Sequence, residues 1–269
     1  MDTQSIRAAL AGQPAIRQVI HCDSIGSTND LARQMANEGA PEIVLISADE
    51  QTTGHGRLGR TWVTLPGTAL AISLLTRPAI PAQQAMRLTM LAGLAAVEGI
   101  EQAMGLRLDL KWPNDIVTPI PDPERPDETV IRKLGGILTE CAFQNDQIEY
   151  AIIGLGLNVN VDFTQQAILR EKATSLLQLL GRSIDRLEVL KAIVAHFIER
   201  YDLLKANHVL RDAWAARLIN LGRKVRVRNG PDILAGRAES IDTDGALLLR
   251  TNDGQLHRLL AGDVTMHGL

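Results

Sequence analysis

Cysteine is nearly missing from this chain. Its two thiols, Cys22 and Cys141, are too few for a disulfide framework and read as reduced core residues. There is no CxxC pair, no HExxH and no dense run of histidine, which argues against a protein-held transition metal. No stretch reaches the roughly 18 consecutive apolar residues of a membrane span. No basic segment followed by an apolar one opens the chain, so no export signal is read and a cytoplasmic protein is expected. A strong charge of one sign is also absent. The net charge of -3 gives no attraction to nucleic acid or to a membrane surface. No Gly-Lys-Ser/Thr follows any glycine-rich run, which excludes a Walker A phosphate loop.

What is present is enough apolar sequence, 45%, to build a real core. The length of 269 residues allows one large domain, or one domain plus a small one. The most distinctive stretch is Gly54-His55-Gly56-Arg57-Leu58-Gly59-Arg60-Thr61-Trp62, set between strand-like runs at 42–48 and 69–76. Glycines admit positive φ and close approach of the backbone to a ligand. Arginines supply planar, permanently charged forks suited to phosphate or carboxylate. Two readings stand: a solvated basic turn, or a loop that closes over a small anion. Gly54, Gly56 and Gly59 fit G-x-G-x-x-G, but Thr61-Trp62-Val63 follows rather than a helix, so a Rossmann site is not read.

Residues 1–17 are mildly helical and too short for a DNA-binding helix-turn-helix module. A strand at 19–22 leads to a helix that starts within 23–30 and ends at Gly39-Ala40-Pro41. Ser27, Thr28 and Asn29 at its start are either an N-cap or a set of hydroxyl and amide groups for a neutral polar ligand head. A largely buried helix is predicted at 83–104, where Met86, Met90, Leu91, Leu94, Val97 and Ile100 recur at helical spacing. An alternating strand at 106–111 runs into Lys111-Trp112-Pro113-Asn114-Asp115. Lys111 is either a surface lysine or a point charge able to hold a carboxylate and an α-phosphate together. The Pro-, Asp- and Glu-rich segment 118–130 reads as a mobile surface insertion.

A strand from Lys133 carries the pair Gly135-Gly136, and a hairpin through 144–147 joins it to a strand at 148–161. Ala173-Thr174-Ser175-Leu176 opens a helix that Gly181 ends. Asp185 caps another, running to about 207, and a last helix is expected at 208–221. From 222 onward short alternating strands are separated by Asn229-Gly230, Asp244-Gly245 and Asp253-Gly254, which predicts a small barrel beyond a boundary near Leu221.

Taken together, these stretches resemble the biotin protein ligases, also called biotin–[acetyl-CoA-carboxylase] ligases. The resemblance covers the chain from about Val19 to its end. It rests on Ser27-Thr28-Asn29, Gln51, the Gly54-to-Arg60 loop, Lys111-Trp112-Pro113-Asn114-Asp115, Lys133-Leu134-Gly135-Gly136-Ile137-Leu138-Thr139-Glu140, Gly156-Leu157-Asn158-Val159-Asn160 and Ala173-Thr174-Ser175-Leu176, in that order. It implies an α+β fold: a mixed β-sheet catalytic domain of the class II aminoacyl-tRNA synthetase/biotin ligase type over residues 1–221, and a C-terminal SH3-like β-barrel over 222–269.

The implied chemistry is adenylation of biotin by ATP with Mg²⁺, then transfer to a lysine of a biotin carboxyl carrier domain of acetyl-CoA carboxylase. By resemblance, Lys111 and Arg57 are the catalytic groups. Ser27, Thr28, Asn29, Gln51, Gly54, His55, Gly56, Arg57, Lys111, Gly135, Gly136 and Leu138 meet biotin. Arg57, Arg60, Trp62, Lys111, Asn114 and Asn158 meet ATP or the adenylate. No residue is assigned to metal. The family commonly has Arg where His55 stands, and the insertion after Asp115 is longer than expected. No DNA-binding module precedes the ligase region, so DNA and membrane are not expected partners, while a homodimer stays open. A lipoate–protein ligase and a non-catalytic biotin sensor are the alternatives.

Overall fold

In the computed structural model of the protein, residues 1–122, 125, 127–164 and 172–266 are described. Seven strands form the main sheet: β1 (Gln18–Ile25), β2 (Val44–Gln51), β3 (Ala69–Thr76), β4 (Asp109–Lys111), β5 (Asp115–Pro121), β6 (Thr129–Gln144) and β7 (Gln147–Asn158). Their order is β1-β2-β3-β7-β6-β5-β4. Only β1 and β2 run parallel, because helix α2 (Thr28–Asn37) links them as a crossover. The other neighbours are antiparallel, so the sheet is mixed and the fold α+β.

Both faces of this sheet are covered. On one, the apolar stripe of α2, Ala32 and Ala36, packs on Val44, Ile46, Leu75, Tyr150 and Ile152. On the other lies helix α3 (Met86–Met104), buried almost all round, as a helix squeezed between two layers must be. Its outer partner is α5 (Arg186–Lys205), which follows the short α4 (Leu176–Leu180) and is capped by Asp185 onto the Leu187 N–H at 2.8 Å. Gly99 explains how close the two helices come. A Cβ there would lie 2.8 Å from the Ile193 Cα.

The last predicted helix is cut to α6 (Arg211–Ala215). The chain after it runs beside β4 instead: the Leu110 N–H donates to the Arg217 carbonyl at 2.8 Å, and Ile219 N–H to the Leu110 carbonyl at 2.9 Å. A short helix, α1 (Thr3–Ala9), places Ile6 in the core. The acidic, proline-rich segment has strands for arms: Pro121 pairs with Thr129 and Thr118 with Arg132 across the β5–β6 hairpin. Between the arms, Asp122 N–H donates to the Glu128 carbonyl at 2.8 Å, and residues 123, 124 and 126 lie outside the described residues.

The C-terminal strands are β8 (Lys224–Asn229), β9 (Asp232–Ile241), β10 (Leu247–Thr251), β11 (Leu256–Leu259) and β12 (Asp263–Met266). The three Asx-Gly turns fall between strands as predicted, and β12 was not foreseen. The expected SH3-like barrel is corrected here. The sheet has the order β11-β10-β9-β8-β12, and among the described residues no ladder joins its two edges, so it does not close. A barrel needs its first and last strands to pair. Here β12 spends its pairing on β8, and the four-residue β11 pairs only with β10. This open sheet leans on the main one. The Trp112 indole N–H donates to the Gly245 carbonyl at 3.0 Å, and one hydrophobic cluster runs from Ile6 through α3 to Val225, Leu247 and Val264. No helix among the described residues is long and apolar enough to cross a membrane.

Candidate active site

A pocket opens where the end of β2, the start of α2, the glycine–arginine loop, the β4–β5 turn, β6 and β12 meet. It brings together Ser27, Thr28, Asn29, Gln51, His55, Gly56, Arg57, Arg60, Trp62, Lys111, Asn114, Gly136 and Leu138 from the expected set. Three expected residues do not line it. Gly54 sits under the returning arm of its own loop, Gly135 against the Gly156 carbonyl, and Asn158 is buried with its amide donating to the Thr174 carbonyl at 3.1 Å.

One side of the pocket is neutral and already hydrogen-bonded to itself. Ser27 occupies the N-cap position of α2, but its hydroxyl makes no cap bond. The Gln51 side-chain oxygen does that work from β2, accepting from the Thr28 N–H at 2.9 Å and from the Thr28 hydroxyl at 3.0 Å. Buried Ser73 lies 2.8 Å from the Thr28 Oγ1 and 2.6 Å from the Asn29 Oδ1. The Asn29 amide donates to Glu140 at 2.6 Å. Gly154 leaves room for this, because any Cβ there would run into the Asn29 amide. Both readings of the Ser-Thr-Asn run therefore change: the helix is capped from outside, and two of the three side chains are held in fixed poses.

The loop is a small hairpin. His55 bridges Thr61, the Trp62 N–H donates to the Gly54 carbonyl at 2.9 Å and the Gly56 N–H to the Arg60 carbonyl at 2.7 Å. Leu58 and Gly59 turn it with φ of 57° and 71°. A Cβ at Gly54 would strike the Trp62 carbonyl, so the loop's own packing requires glycine here.

The opposite side of the pocket is cationic. The Arg57 guanidinium donates to the Asn114 Oδ1 at 3.0 Å, and Asn114 in turn donates to the Ile137 carbonyl at 2.6 Å. Burial pushes Arg57 down from its usual pKa, and the Asp115 and Asp263 carboxylates oppose that shift. Arg60 is ion-paired with Asp263 on β12. The pair's hydrogen bond raises the guanidinium and, against burial, holds the Asp263 carboxyl below the usual carboxylate range.

Lys111 ends β4 directly across the tight turn from Asp115. Between them Trp112 drops into the core, almost fully buried. Sequence reasoning passed over the pocket's second lysine. Lys133 on β6 is ion-paired with Asp115 and stands 5.9 Å from the centre of the Trp62 ring. The signal for it was a cation in an apolar strand two residues before the glycine pair. Gly136 faces it, since a Cβ there would lie 3.0 Å from the Lys133 Nζ. Asp263 had no local signal at all. The Trp62 ring lies on Gly156, and its buried indole N–H has no partner among the described residues.

Four basic side chains, Arg57, Arg60, Lys111 and Lys133, thus converge against two carboxylates, in a chain whose overall charge is negative. Such a site draws in anions and stabilises charge that develops between them. Among the described residues the one cluster with metal-ligand geometry is His21, Asp23 and Asp49, none of which lines the pocket.

The pattern described as "Biotin/lipoate A/B protein ligase family" matches residues 22–158, and that of "Biotin protein ligase C terminal domain" matches 221–266. The chain is 36% identical over 271 residues to the "Bifunctional ligase/repressor BirA" of Bacillus subtilis (strain 168), covering 99% of this chain and 79% of that protein. It is 30% identical to the "Biotin--[acetyl-CoA-carboxylase] ligase" of Mycobacterium tuberculosis, covering 98% of this chain and 95% of that one. Among solved structures, biotin protein ligase from Aquifex aeolicus in complex with biotin and ATP superposes with a TM-score of 0.74 at 24% identity. That match covers 94% of this chain and 99% of the other and shows the shared fold.

Proposed function

The chain belongs to the biotin protein ligase family, and from that premise we propose how its pocket performs the family's reaction. The protein is an ATP-dependent ligase that forms a carbon–nitrogen bond. In the first step an oxygen of the biotin carboxylate attacks the α-phosphorus of ATP. Pyrophosphate leaves and biotinyl-AMP remains. In the second, the amine of a lysine on a biotin carboxyl carrier domain attacks the acyl carbon, and AMP leaves. The observation that carries this reading is the meeting of a neutral, preset hydrogen-bonding wall with a cluster of cations. A reaction that joins a carboxylate to a polyphosphate needs a specific seat for the acid and positive charge where the two anions meet.

The roles divide accordingly. Ser27, Thr28, Asn29 and Gln51, with Gly136 and Leu138 on β6, form the seat for biotin, and Gly135 lets β6 lie close against β7 behind it. Lys111 and Lys133 flank Asp115 and neutralise the carboxylate and α-phosphate as they approach. Arg57, held by Asn114, covers the acyl phosphate. Arg60 meets the phosphates once it leaves Asp263, and Trp62 stacks beside the adenylate. Asn158 acts from behind, fixing the Thr174 carbonyl. Gly54, His55 and Gly56 shape the closing loop.

Closure also protects the product, because a mixed anhydride survives only where water is excluded. Mg²⁺ arrives on the triphosphate, held mainly by phosphate oxygens and water. The pocket's own carboxylates, Asp115 and Asp263, are each paired with a cation. The C-terminal segment, divided from the ligase body near residue 221 where the second family pattern begins, supplies Asp263.

The test is ATP–pyrophosphate exchange with the purified protein, Mg²⁺ and either biotin or lipoate. Exchange that requires biotin is expected. Exchange that requires lipoate would move the protein to the sister activity. Tight biotin binding with no exchange would leave a sensor.

A further inference from the structure

Three side chains tie the loop to the body of the protein. Arg57 reaches Asn114, Arg60 reaches Asp263, and the His55 Nε2 lies 3.0 Å from the Asp30 Oδ2. The first two carry permanent charge. The third is an imidazole, the side chain whose charge ordinarily changes between pH 5 and 8.

Asp30 is placed to make this contact count. It sits in the first turn of α2, next to Asn29 of the biotin wall, and its other oxygen accepts from the Arg33 guanidinium at 2.7 Å. Arg33 pairs onward with Glu140 on β6, the same carboxylate that takes the Asn29 amide at 2.6 Å. The loop is thus wired through Asp30, Arg33 and Glu140 to the wall it closes on. The charged group in contact with the imidazole is Asp30 of α2; Arg33 of α2 and Glu140 of β6 follow behind it, and Arg57 and Arg60 of the same loop are turned to Asn114 and Asp263. Burial works to raise Asp30, but the hydrogen bonds from His55 and Arg33 hold it below the usual carboxylate range.

We propose that His55 is a positioning residue: its clasp on Asp30 sets how long the loop stays shut over biotinyl-AMP, and the clasp is stronger when the imidazole is protonated. The proposal rests on the adenylation reading above. The reason is elementary. The carboxylate assists the hydrogen bond in either state of the ring, and protonation adds the Coulombic attraction of a second, opposite charge. A neutral imidazole still donates when its proton is on Nε2 and cannot when it is on Nδ1, so the dependence is graded rather than all-or-none. Both side chains are nearly half exposed, which limits the effect to the few-fold range.

The experiment uses the whole protein, loaded with biotin and ATP so that biotinyl-AMP forms in place. Release of the adenylate into excess unlabelled ligand is timed at pH 6 and pH 8.5, beside biotin-dependent exchange. Wild type is expected to release about threefold faster at the higher pH. His55→Arg, a permanent cation, should release slowly at both. His55→Gln and Asp30→Asn should release fast at both, with circular dichroism confirming that each is folded.

If His55→Arg and His55→Gln keep the wild-type ratio between the two pH values, the clasp is not His55 and the proposal falls. Biotin-dependent exchange with no response to His55 overturns this inference alone. Absence of exchange at either pH removes the adenylation reading and this inference with it.

Discussion

The two walls of the pocket are built on opposite principles. The wall of Thr28, Asn29 and Gln51, backed by buried Ser73, is neutral, largely buried, and satisfied by partners within the protein before any ligand arrives. The wall of Arg57, Arg60, Lys111 and Lys133 is charged, and two of its cations are occupied by carboxylates that a ligand's phosphates would have to replace. The difference teaches which half is rigid and which is exchangeable. A preset wall selects one acid by shape and hydrogen bonding. If entering anions displace the paired carboxylates, chemistry and binding are coupled on that wall and not on the other.

The comparison breaks first on the lysines. If charge on the cationic wall drives the chemistry, Lys111→Ala and Lys133→Ala should each lower the exchange rate by about 10²–10³-fold with biotin affinity much less affected. Exchange rates beside calorimetric biotin binding measure the split. A loss confined to one lysine would assign the bridging role to that one alone.

On the neutral wall the reverse split is expected. Ser73→Ala leaves both Thr28 and Asn29 short of a partner, an effect of about 1–3 kcal/mol. The KM for biotin should rise roughly tenfold while the maximal exchange rate holds. Equal losses in both parameters would mean that this wall, too, acts in the transition state.

Asp263→Asn comes next. Freeing Arg60 should change the KM for ATP by a few-fold, at most about 1 kcal/mol, because both partners are substantially exposed. The same pair has a sign in acid. A carboxyl held below its unfolded pKa contributes its stability above the unfolded value of about 3.9. That contribution is lost as pH falls through the lower folded value. Acid unfolding of wild type and Asp263→Asn should therefore converge below that range and differ above it.

The smallest effect is ionic strength. Raising salt from 0.05 to about 0.5 M shortens the screening length severalfold. It should weaken ATP binding more than biotin binding, and a parallel loss of both would erase the distinction between the walls.

How much of this was visible in the sequence follows the same divide. Short-range signals read well. Asp185 caps the helix it was expected to cap, Gly181 ends α4, and the Asx-Gly pairs mark the turns of the second sheet. Signals that depend on long-range pairing did not. Residues 216–221 continue a helical pattern, yet the stretch 217–219 pairs with β4, where it satisfies both backbone groups of Leu110. Nothing local says whether five short strands close, and here β12 takes the edge of β8 and leaves the sheet open.

In the site, the loop was found for a partly different reason. Gly54 is required by its own hairpin, where a Cβ would strike the Trp62 carbonyl. Lys133 was read as the start of a strand and of a family motif but given no role, because its partner Asp115 lies 18 residues earlier and their ion pair exists only once β5 and β6 pair. Asp263 lies on a strand that was not foreseen.

Trp112 has a consequence beyond the site. It stands between Lys111 and Asn114 in sequence, yet its indole is anchored to the Gly245 carbonyl and its backbone N–H to Asn220 at 3.0 Å. The Gly245 turn also lies over Met86 and Met90 of α3, so near that no Cβ would fit. The boundary near residue 221 in the sequence is thus crossed by side-chain contacts. With one hydrophobic cluster shared across it, the chain should melt in a single calorimetric transition, its van't Hoff and calorimetric enthalpies equal, and Trp112→Ala should split that transition in two.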